Sequence, residues 1–139
     1  MRRAHFWRDK PPLLTFYEQN YMLFRLVVPE APAGDGWHVL KAAGRPDVFL
    51  RRLSAHPYTS EWLLAHRYPG RQRLFAPDYT IRVYHDARLA EAMTDPAIPV
   101  RKQRERKYAV NRALGEWLDY CRRYGYRMAG AVEMAEETR

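Results

Sequence analysis

The chain has 139 residues, of which 47% are hydrophobic and 14% aromatic. This length and composition fit one domain with its own core and exclude an intrinsically disordered protein. Uninterrupted apolar runs stop at four residues, far short of the ~20 that a membrane-spanning helix needs. The charged start, MRRAHFWRDK, is not followed by the hydrophobic segment of a secretory signal. We therefore expect a cytoplasmic protein that does not enter a membrane.

The chain carries a formal net charge of +8. Such an excess of cations favours anionic partners, namely nucleic acid, a nucleotide or an acidic protein surface. A basic solvated surface without a partner is the alternative. The single cysteine, Cys121, excludes an internal disulfide and a multi-cysteine metal cluster.

A first helix is predicted between two proline signals. Asp9 followed by Pro11 and Pro12 is typical of a helix N-terminus, and Pro29 predicts the end of the helix. Between these signals, apolar residues recur every three or four positions, as they do along one face of a helix. The residues of this stripe are Leu14, Tyr17, Tyr21, Phe24 and Val28.

Strand signals fill the middle of the chain. Residues 37–42 and 47–53 flank a Gly-Arg-Pro-Asp turn and predict a hairpin, and residues 58–67 predict a third strand. From Tyr79 onward the chain alternates between two faces, as a fourth strand does. One face carries Ile81, Val83, His85, Ala87 and Leu89, and the other carries Arg82, Tyr84, Asp86 and Arg88.

The course of the chain after Val83 stays open. A straight strand, a bulged bend and a three-residue loop at 85–87 that pairs Val83 with Leu89 all fit the pattern. Asp86 also fits the N-cap of a short helix, so residues 87–93 are either a strand or a helix.

The last predicted helix has the most regular apolar stripe in the chain, and Gly125 predicts its C-terminus. We therefore predict an α+β fold, with an antiparallel sheet of about five strands packed by an N-terminal and a C-terminal helix. Residues 1–126 are predicted to form a single domain, and residues 127–139 a frayed or disordered tail. The stripe of the last helix consists of Val110, Ala113, Leu114, Trp117, Leu118, Cys121 and Tyr124.

His85 and Asp86 are the candidates for catalysis, as a general base and the carboxylate that orients it. Adjacent residues of a strand point to opposite faces, which argues against their meeting. The five histidines form no HxH or HxxxH pair, so we predict no metal site. Glycine-rich phosphate loops and serine-nucleophile motifs are absent, and we predict no cofactor.

The basic segment RKQRERK, residues 101–107, lies just before and within the first turn of the last helix. Cations there oppose the helix macrodipole, so helix stability does not explain them. Together with the free backbone N–H groups they suit a phosphate. The outer face of the fourth strand adds further cations and a tyrosine that can stack on a base. The predicted ligand-binding residues are Arg82, Tyr84, Arg88, Gln103, Arg104, Lys107 and Asn111.

Two blocks, TIRVYHDARLAEAM and KQRERKYAVNRALGEWLDYCRRYG, resemble the signature blocks of the YqiB-like family of small bacterial proteins. The segment EQNYMLFRLVVP is similar to the family's first helix, and PYTSEW contains a similar Tyr-Thr pair. Together these matches span most of residues 14–125. The family is a domain of unknown function, so the resemblance implies membership but assigns no catalytic residue.

From the sequence we expect a non-enzymatic binding or regulatory module for RNA or a nucleotide. One alternative is a phosphoester or nucleotide hydrolase that uses His85 and Asp86. Another is a protein–protein adaptor or homodimer whose working surface is an exposed apolar face of the sheet. The sequence does not give the oligomeric state.

Overall fold

The computed structural model describes residues 11–30, 34, 36–66 and 79–131. These residues form two helices and one antiparallel six-stranded sheet, so the predicted α+β class is confirmed. The helices are α1 (Leu13–Val27) and α2 (Val100–Arg123). The strands are β1 (Trp37–Lys41), β2 (Val48–Ala55), β3 (Thr59–His66), β4 (Tyr79–Tyr84), β5 (Leu89–Ala92) and β6 (Arg127–Ala131).

Five strands of the sheet form an antiparallel meander, and the sixth is added at the β1 edge. Strands β1 to β5 follow one another across the sheet, and after α2 the chain comes back to place β6 beside β1. The sixth strand corrects the prediction, because Arg127–Ala131 were expected to belong to the tail. The segment RMAGA has no apolar alternation of its own, and its pairing partner lies far upstream in β1. Residues 132–139, the rest of the predicted tail, lie outside the described residues.

Both helices pack on one face of the sheet, which we call the inner face. Leu50, Ile81 and Leu114 are fully buried there, and the whole cluster draws on α1, α2 and strands β1 to β5. Burial of each such side chain stabilises the fold by about 1.5–3 kcal/mol. The helix stripes predicted from the sequence contribute Phe24, Val28, Leu114, Leu118 and Cys121 to this cluster. Two predicted stripe residues are exposed instead: Leu14 near the start of α1 and Tyr124 at the end of α2.

The opposite or outer face carries a smaller apolar cluster of its own. Its members are Trp37, Val39, Phe49 and Ala65. Since Leu40 faces the helices and Val39 faces outward, β1 is buried on both sides, with Trp37 to Leu40 all buried. The alternation of apolar and polar residues is therefore weak in β1, which is the strand that β6 joins.

The helix ends follow the predicted signals in part. Pro12 occupies the N-cap of α1 without a side-chain cap, while Asp9 lies outside the described residues. At the end of α2 the N–H of Tyr126 donates to the Cys121 carbonyl, and the N–H of Gly125 donates to the Arg122 carbonyl. With φ of 74° at Gly125, this is the Schellman arrangement that the glycine predicted.

The β4–β5 hairpin settles the course of the chain after Val83. Residues 85–88 form a four-residue turn, and the register pairs Tyr84 with Leu89 and Val83 with Ala90. Ala90, rather than the predicted Leu89, therefore faces the core. The turn ends at Arg88, whose φ is 59°. Such a conformation is uncommon outside glycine and asparagine, so residue type gave no signal for it.

Helix α2 also closes the edge of the sheet at β5. The side-chain amide of Asn111, which is fully buried, accepts a 2.7 Å hydrogen bond from the N–H of Ala92 and donates a 3.3 Å bond to the Ala92 carbonyl. Asn20 of α1 donates to the Asn111 side chain from the other side at 3.3 Å. The asparagines thus tie both helices to the outermost strand.

Neither described helix is long and apolar enough to span a bilayer.

Candidate functional site

The catalytic candidates His85 and Asp86 lie in the β4–β5 turn and are exposed. Nε2 of His85 lies 2.9 Å from Oγ of Ser60, which also accepts a 2.8 Å hydrogen bond from Nε1 of Trp62. The Asp86 carboxylate instead accepts a 2.9 Å bond from the N–H of Ala87. The two side chains therefore have different partners and are not a dyad. Ser60, which the sequence did not single out, is buried, and its hydroxyl connects a core indole to a surface imidazole.

Arg82, which was predicted to offer a positive charge on the outer face of β4, is neutralised by Glu61 of the neighbouring strand β3. Nη2 and Nε of Arg82 donate to one carboxylate oxygen of Glu61 at 2.6 and 2.9 Å. That hydrogen bond is the main cause of the raised pKa of Arg82. On the other side the register places Glu91 opposite Arg82. The row Glu61, Arg82, Glu91 thus has more negative than positive charge.

Glu91 also holds two tyrosine hydroxyls. Tyr84 donates to one carboxylate oxygen at 3.3 Å, and Tyr17 of α1 lies 3.5 Å from the other. Burial, followed by the charge of Glu91, raises the pKa of Tyr17 to about 12. Tyr84 is therefore fixed by a carboxylate. Of the ligand-binding residues predicted for this face, Arg82 and Tyr84 are half-buried and Arg88 is exposed in the turn.

The basic segment at the start of α2 is arranged differently. We call Arg101, Lys102, Arg104, Arg106 and Lys107 the α2 basic cluster. All are exposed except Lys107, which is half-buried. Within the described residues, none of the cluster has a carboxylate within 4.0 Å, and the first turn of α2 contains no acidic residue.

Five cations elsewhere in the described part of the chain have carboxylate partners. Ion pairs of 2.6–3.5 Å neutralise Lys41, Arg82, Arg112, Arg122 and Arg123. Asp119, which serves two of these arginines, has a lowered pKa chiefly because Arg122 donates to it. Within the described residues, Arg25, Arg45, Arg52, Arg88 and Arg127 also lack a carboxylate within 4.0 Å, but they are scattered, whereas the α2 basic cluster concentrates five such cations in seven residues.

Two of the predicted phosphate ligands on α2 serve the fold instead. Gln103 donates to the Ile98 carbonyl at 2.9 Å and so fastens the loop that enters the helix. Asn111 is buried against β5 and is not available to a ligand. Arg104 remains at the surface, with its guanidinium carbon 5.5 Å from the centre of the Tyr108 ring. Tyr108 in turn donates to the Pro11 carbonyl at 2.6 Å.

A second feature of α2 was missed by the sequence reasoning. At its C-terminal end the rings of Trp117 and Tyr120 are stacked, with centroids 5.1 Å apart and planes 10° from parallel. The Tyr124 ring follows at 4.8 Å from Tyr120. The guanidinium carbon of Arg45, in the β1–β2 turn, lies 3.7 Å from the Tyr124 centroid. We call these four residues the aromatic–arginine cluster.

The spacing of the three aromatic residues was visible in the sequence, but two of them were assigned to the core. Tyr124 is 44% exposed, and Arg45 is exposed in its turn. The arginine comes from a hairpin far upstream in the chain, so local patterning could not place it. Among the described residues, no three histidine, cysteine or acidic side chains are grouped as metal ligands.

The comparisons with known proteins concern the same part of the chain. The sequence model of the family described as "Protein of unknown function (DUF1249)" matches residues 22–127. The chain belongs to this family. The YqiB-like resemblance is thereby confirmed, and the DUF1249 match includes the α2 basic cluster and the aromatic–arginine cluster.

Relatives in the DUF1249 family carry no stated activity. The chain is 27% identical over 128 aligned residues to "Uncharacterized protein YqiB" of Escherichia coli strain K12, which covers 84% of this chain and 91% of the relative. The proteins of the same name from the O6:H1 and O157:H7 strains match equally well. No solved structure matches the chain.

Proposed function

We propose that this protein is a binding module for nucleic acid and that the α2 basic cluster contacts the phosphates. One observation carries the proposal: five cations within residues 101–107 have no carboxylate partners among the described residues, whereas Arg112, Arg122 and Arg123, later in the same helix, are in ion pairs. Phosphate groups are the partners that such a cluster lacks.

The helix itself gains nothing from these side chains. Positive charges in the first turn, here Arg101 and Lys102, are unfavourable by about 0.3–1 kcal/mol each at low ionic strength, because they face the positive end of the macrodipole. The α2 N-terminus also lacks a side-chain cap. A bound phosphate reverses both effects, since it neutralises the cations and accepts hydrogen bonds from unpaired N–H groups.

The hydrolase alternative has less support. It requires His85 and Asp86 to act on one substrate, and the two side chains are directed to separate partners. The adaptor alternative has no surface that argues for a particular protein partner. Nucleic-acid binding therefore remains the function that the arrangement of charge favours.

The test is a fluorescence anisotropy titration of a labelled oligonucleotide with the full chain. We expect the double variant Lys102→Gln, Arg106→Gln to bind at least tenfold more weakly than the wild type. Both side chains are exposed, so the fold should not change. The matched control is Lys41→Gln, Arg122→Gln, which removes the same charge from residues already in ion pairs. Equal affinities for the two double variants would rule the proposal out.

A further inference from the structure

We infer that the nucleic acid is single-stranded and runs along one face of α2, with an unpaired base stacked at the aromatic–arginine cluster. This inference rests on the proposed function and names the form of its ligand. It comes from two features at opposite ends of the same line of α2 side chains, namely cations at one end and an aromatic cluster at the other, in which Tyr124 is exposed and Trp117 and Tyr120 are half-buried.

The two features share a face because of their spacing. From Lys102 the sequence continues at intervals of three or four residues, which places each side chain above the last. The face so defined is exposed at Lys102 and Arg106 and borders the buried stripe further along, where Trp117 and Tyr120 are half-buried. Its residues in order are Lys102, Arg106, Ala109, Ala113, Trp117, Tyr120 and Tyr124.

The middle of this face carries only small side chains. Ala109 is exposed and Ala113 half-buried, so no large side chain interrupts the path between the cations and the rings. Glu116 borders the path, but its charge is paired with Arg112 at 3.5 Å. The face from Lys102 to the end of α2 is about 30 Å long, which a stacked strand covers in roughly nine nucleotides.

The aromatic–arginine cluster offers planar groups to a base. Arg45 lies against the Tyr124 ring, and its Nη1 also lies 3.5 Å from the Tyr120 hydroxyl. That hydrogen bond is the main cause of the raised pKa of Arg45. Bases stack both on tyrosine rings and on arginine planes. The pair thus presents the exposed guanidinium plane of Arg45, which the Tyr124 ring supports from the other side.

A single strand fits this arrangement better than a duplex. In a duplex both faces of every interior base are covered by neighbouring bases, so only an unpaired base can stack on a side chain. An acidic protein would satisfy the cations of α2 but has no general reason to contact a tyrosine–arginine plane. The aromatic end of the face therefore distinguishes the partner classes.

The experiment compares probes that keep the phosphates but change the bases. Full-length protein is titrated against a labelled single-stranded oligodeoxynucleotide of about ten residues, the same strand with abasic sites, and the matching duplex. Stacking contributes about 1–3 kcal/mol per base, so we expect the abasic strand to bind about tenfold more weakly. Tyr124→Ala and Arg45→Ala should each remove most of this difference. Tyr58→Ala, which alters a tyrosine that is 65% exposed in another turn, should preserve it.

The remaining outcomes overturn either the stacking inference alone or the proposed function as well. Equal binding of normal and abasic strands, with affinity still lost in Lys102→Gln, Arg106→Gln, overturns the stacking inference and leaves the proposed function intact. Tighter binding of the duplex also overturns the inference. Absence of binding to all three probes, or equally tight binding of polyglutamate, overturns both. Circular dichroism melting of Arg45→Ala, whose altered residue is exposed in a turn, guards against loss of fold as the cause.

Discussion

The side chain of Asn111 hydrogen bonds to both backbone groups of Ala92, accepting from its N–H at 2.7 Å and donating to its carbonyl at 3.3 Å. A neighbouring strand would make the same two bonds, so the amide takes the place of a seventh strand at the β5 edge. An open edge invites pairing with other chains. Asn111 closes this one while it anchors α2 to the sheet.

Replacement of Asn111 by alanine should therefore be costly. It leaves the N–H and the carbonyl of Ala92 without their side-chain partner, and each such buried group costs about 1–3 kcal/mol. Asn20 loses its bond to the Asn111 side chain but keeps its 3.3 Å bond to the Asn111 backbone carbonyl. We expect the free energy of unfolding, measured by urea denaturation, to fall by about 2–5 kcal/mol. Arg112→Ala, on the adjacent exposed position, should change it by no more than about 0.5 kcal/mol. A loss as small as that in Asn111→Ala would refute the role of the amide.

Gly115 allows α1 and α2 to approach each other. A Cβ at this position would lie 2.9 Å from Oδ1 of Asn20, which is itself buried without a hydrogen-bond partner. Gly115→Ala should thus destabilise the fold by about 1–3 kcal/mol, although alanine favours helix by about 1 kcal/mol. In the Asn20→Ala background the clash is absent, and the same change should be neutral or stabilising. Additive effects in this double-mutant cycle would show that the two residues are not in contact.

Cys121 should be inert in the native protein. It is buried on the inner side of α2, and burial raises its pKa to about 12. The thiolate is the species that reacts with alkylating agents, so it is scarce at neutral pH and is shielded as well. We expect no iodoacetamide adduct by intact-mass measurement on the native chain, and a single adduct after denaturation in guanidinium. Rapid labelling of the native chain would contradict the packing of α2.

The raised pKa of Tyr17 predicts that the folded protein loses stability at alkaline pH. Its pKa is raised from 10.0 to about 12 in the folded protein, first by burial and then by the charge of Glu91. The folded state therefore binds this proton more tightly than the unfolded chain does. The resulting contribution is present below pH 10 and is lost as the pH rises to about 12. Across that window the unfolding free energies of the wild type and Tyr17→Phe should converge, as measured by urea titration. Curves that stay parallel would exclude the contribution of Tyr17.

Much of the fold could be predicted from local pattern. The apolar stripe of α2, the stop at Gly125 and the first hairpin depend on neighbours within a few residues, and the structure has all three. Strand β6 could not be predicted in this way. Its five residues carry a bulge opposite Val39 and Leu40 and gain their order from pairing with β1.

The candidate site also combines features that the local sequence shows with contacts that only the fold creates. The cations of α2 could be located because charge is a property of the segment itself. The pairing of Arg82 with Glu61 and of Arg45 with Tyr124 joins distant segments and became visible only in the fold. Asn111 shows a further limit, because a polar residue on a helix reads as exposed unless its buried partner is known.

The salt dependence of oligonucleotide binding tests the central claim most directly, because each phosphate that a protein neutralises steepens the slope of log affinity against log salt. For a single strand the slope is about −0.7 per phosphate contact. We predict that Lys102→Gln, Arg106→Gln makes the slope shallower by about 1.4, while Lys41→Gln, Arg122→Gln keeps the slope of the wild type. The same slope in all three proteins would contradict a phosphate-binding role for the α2 basic cluster.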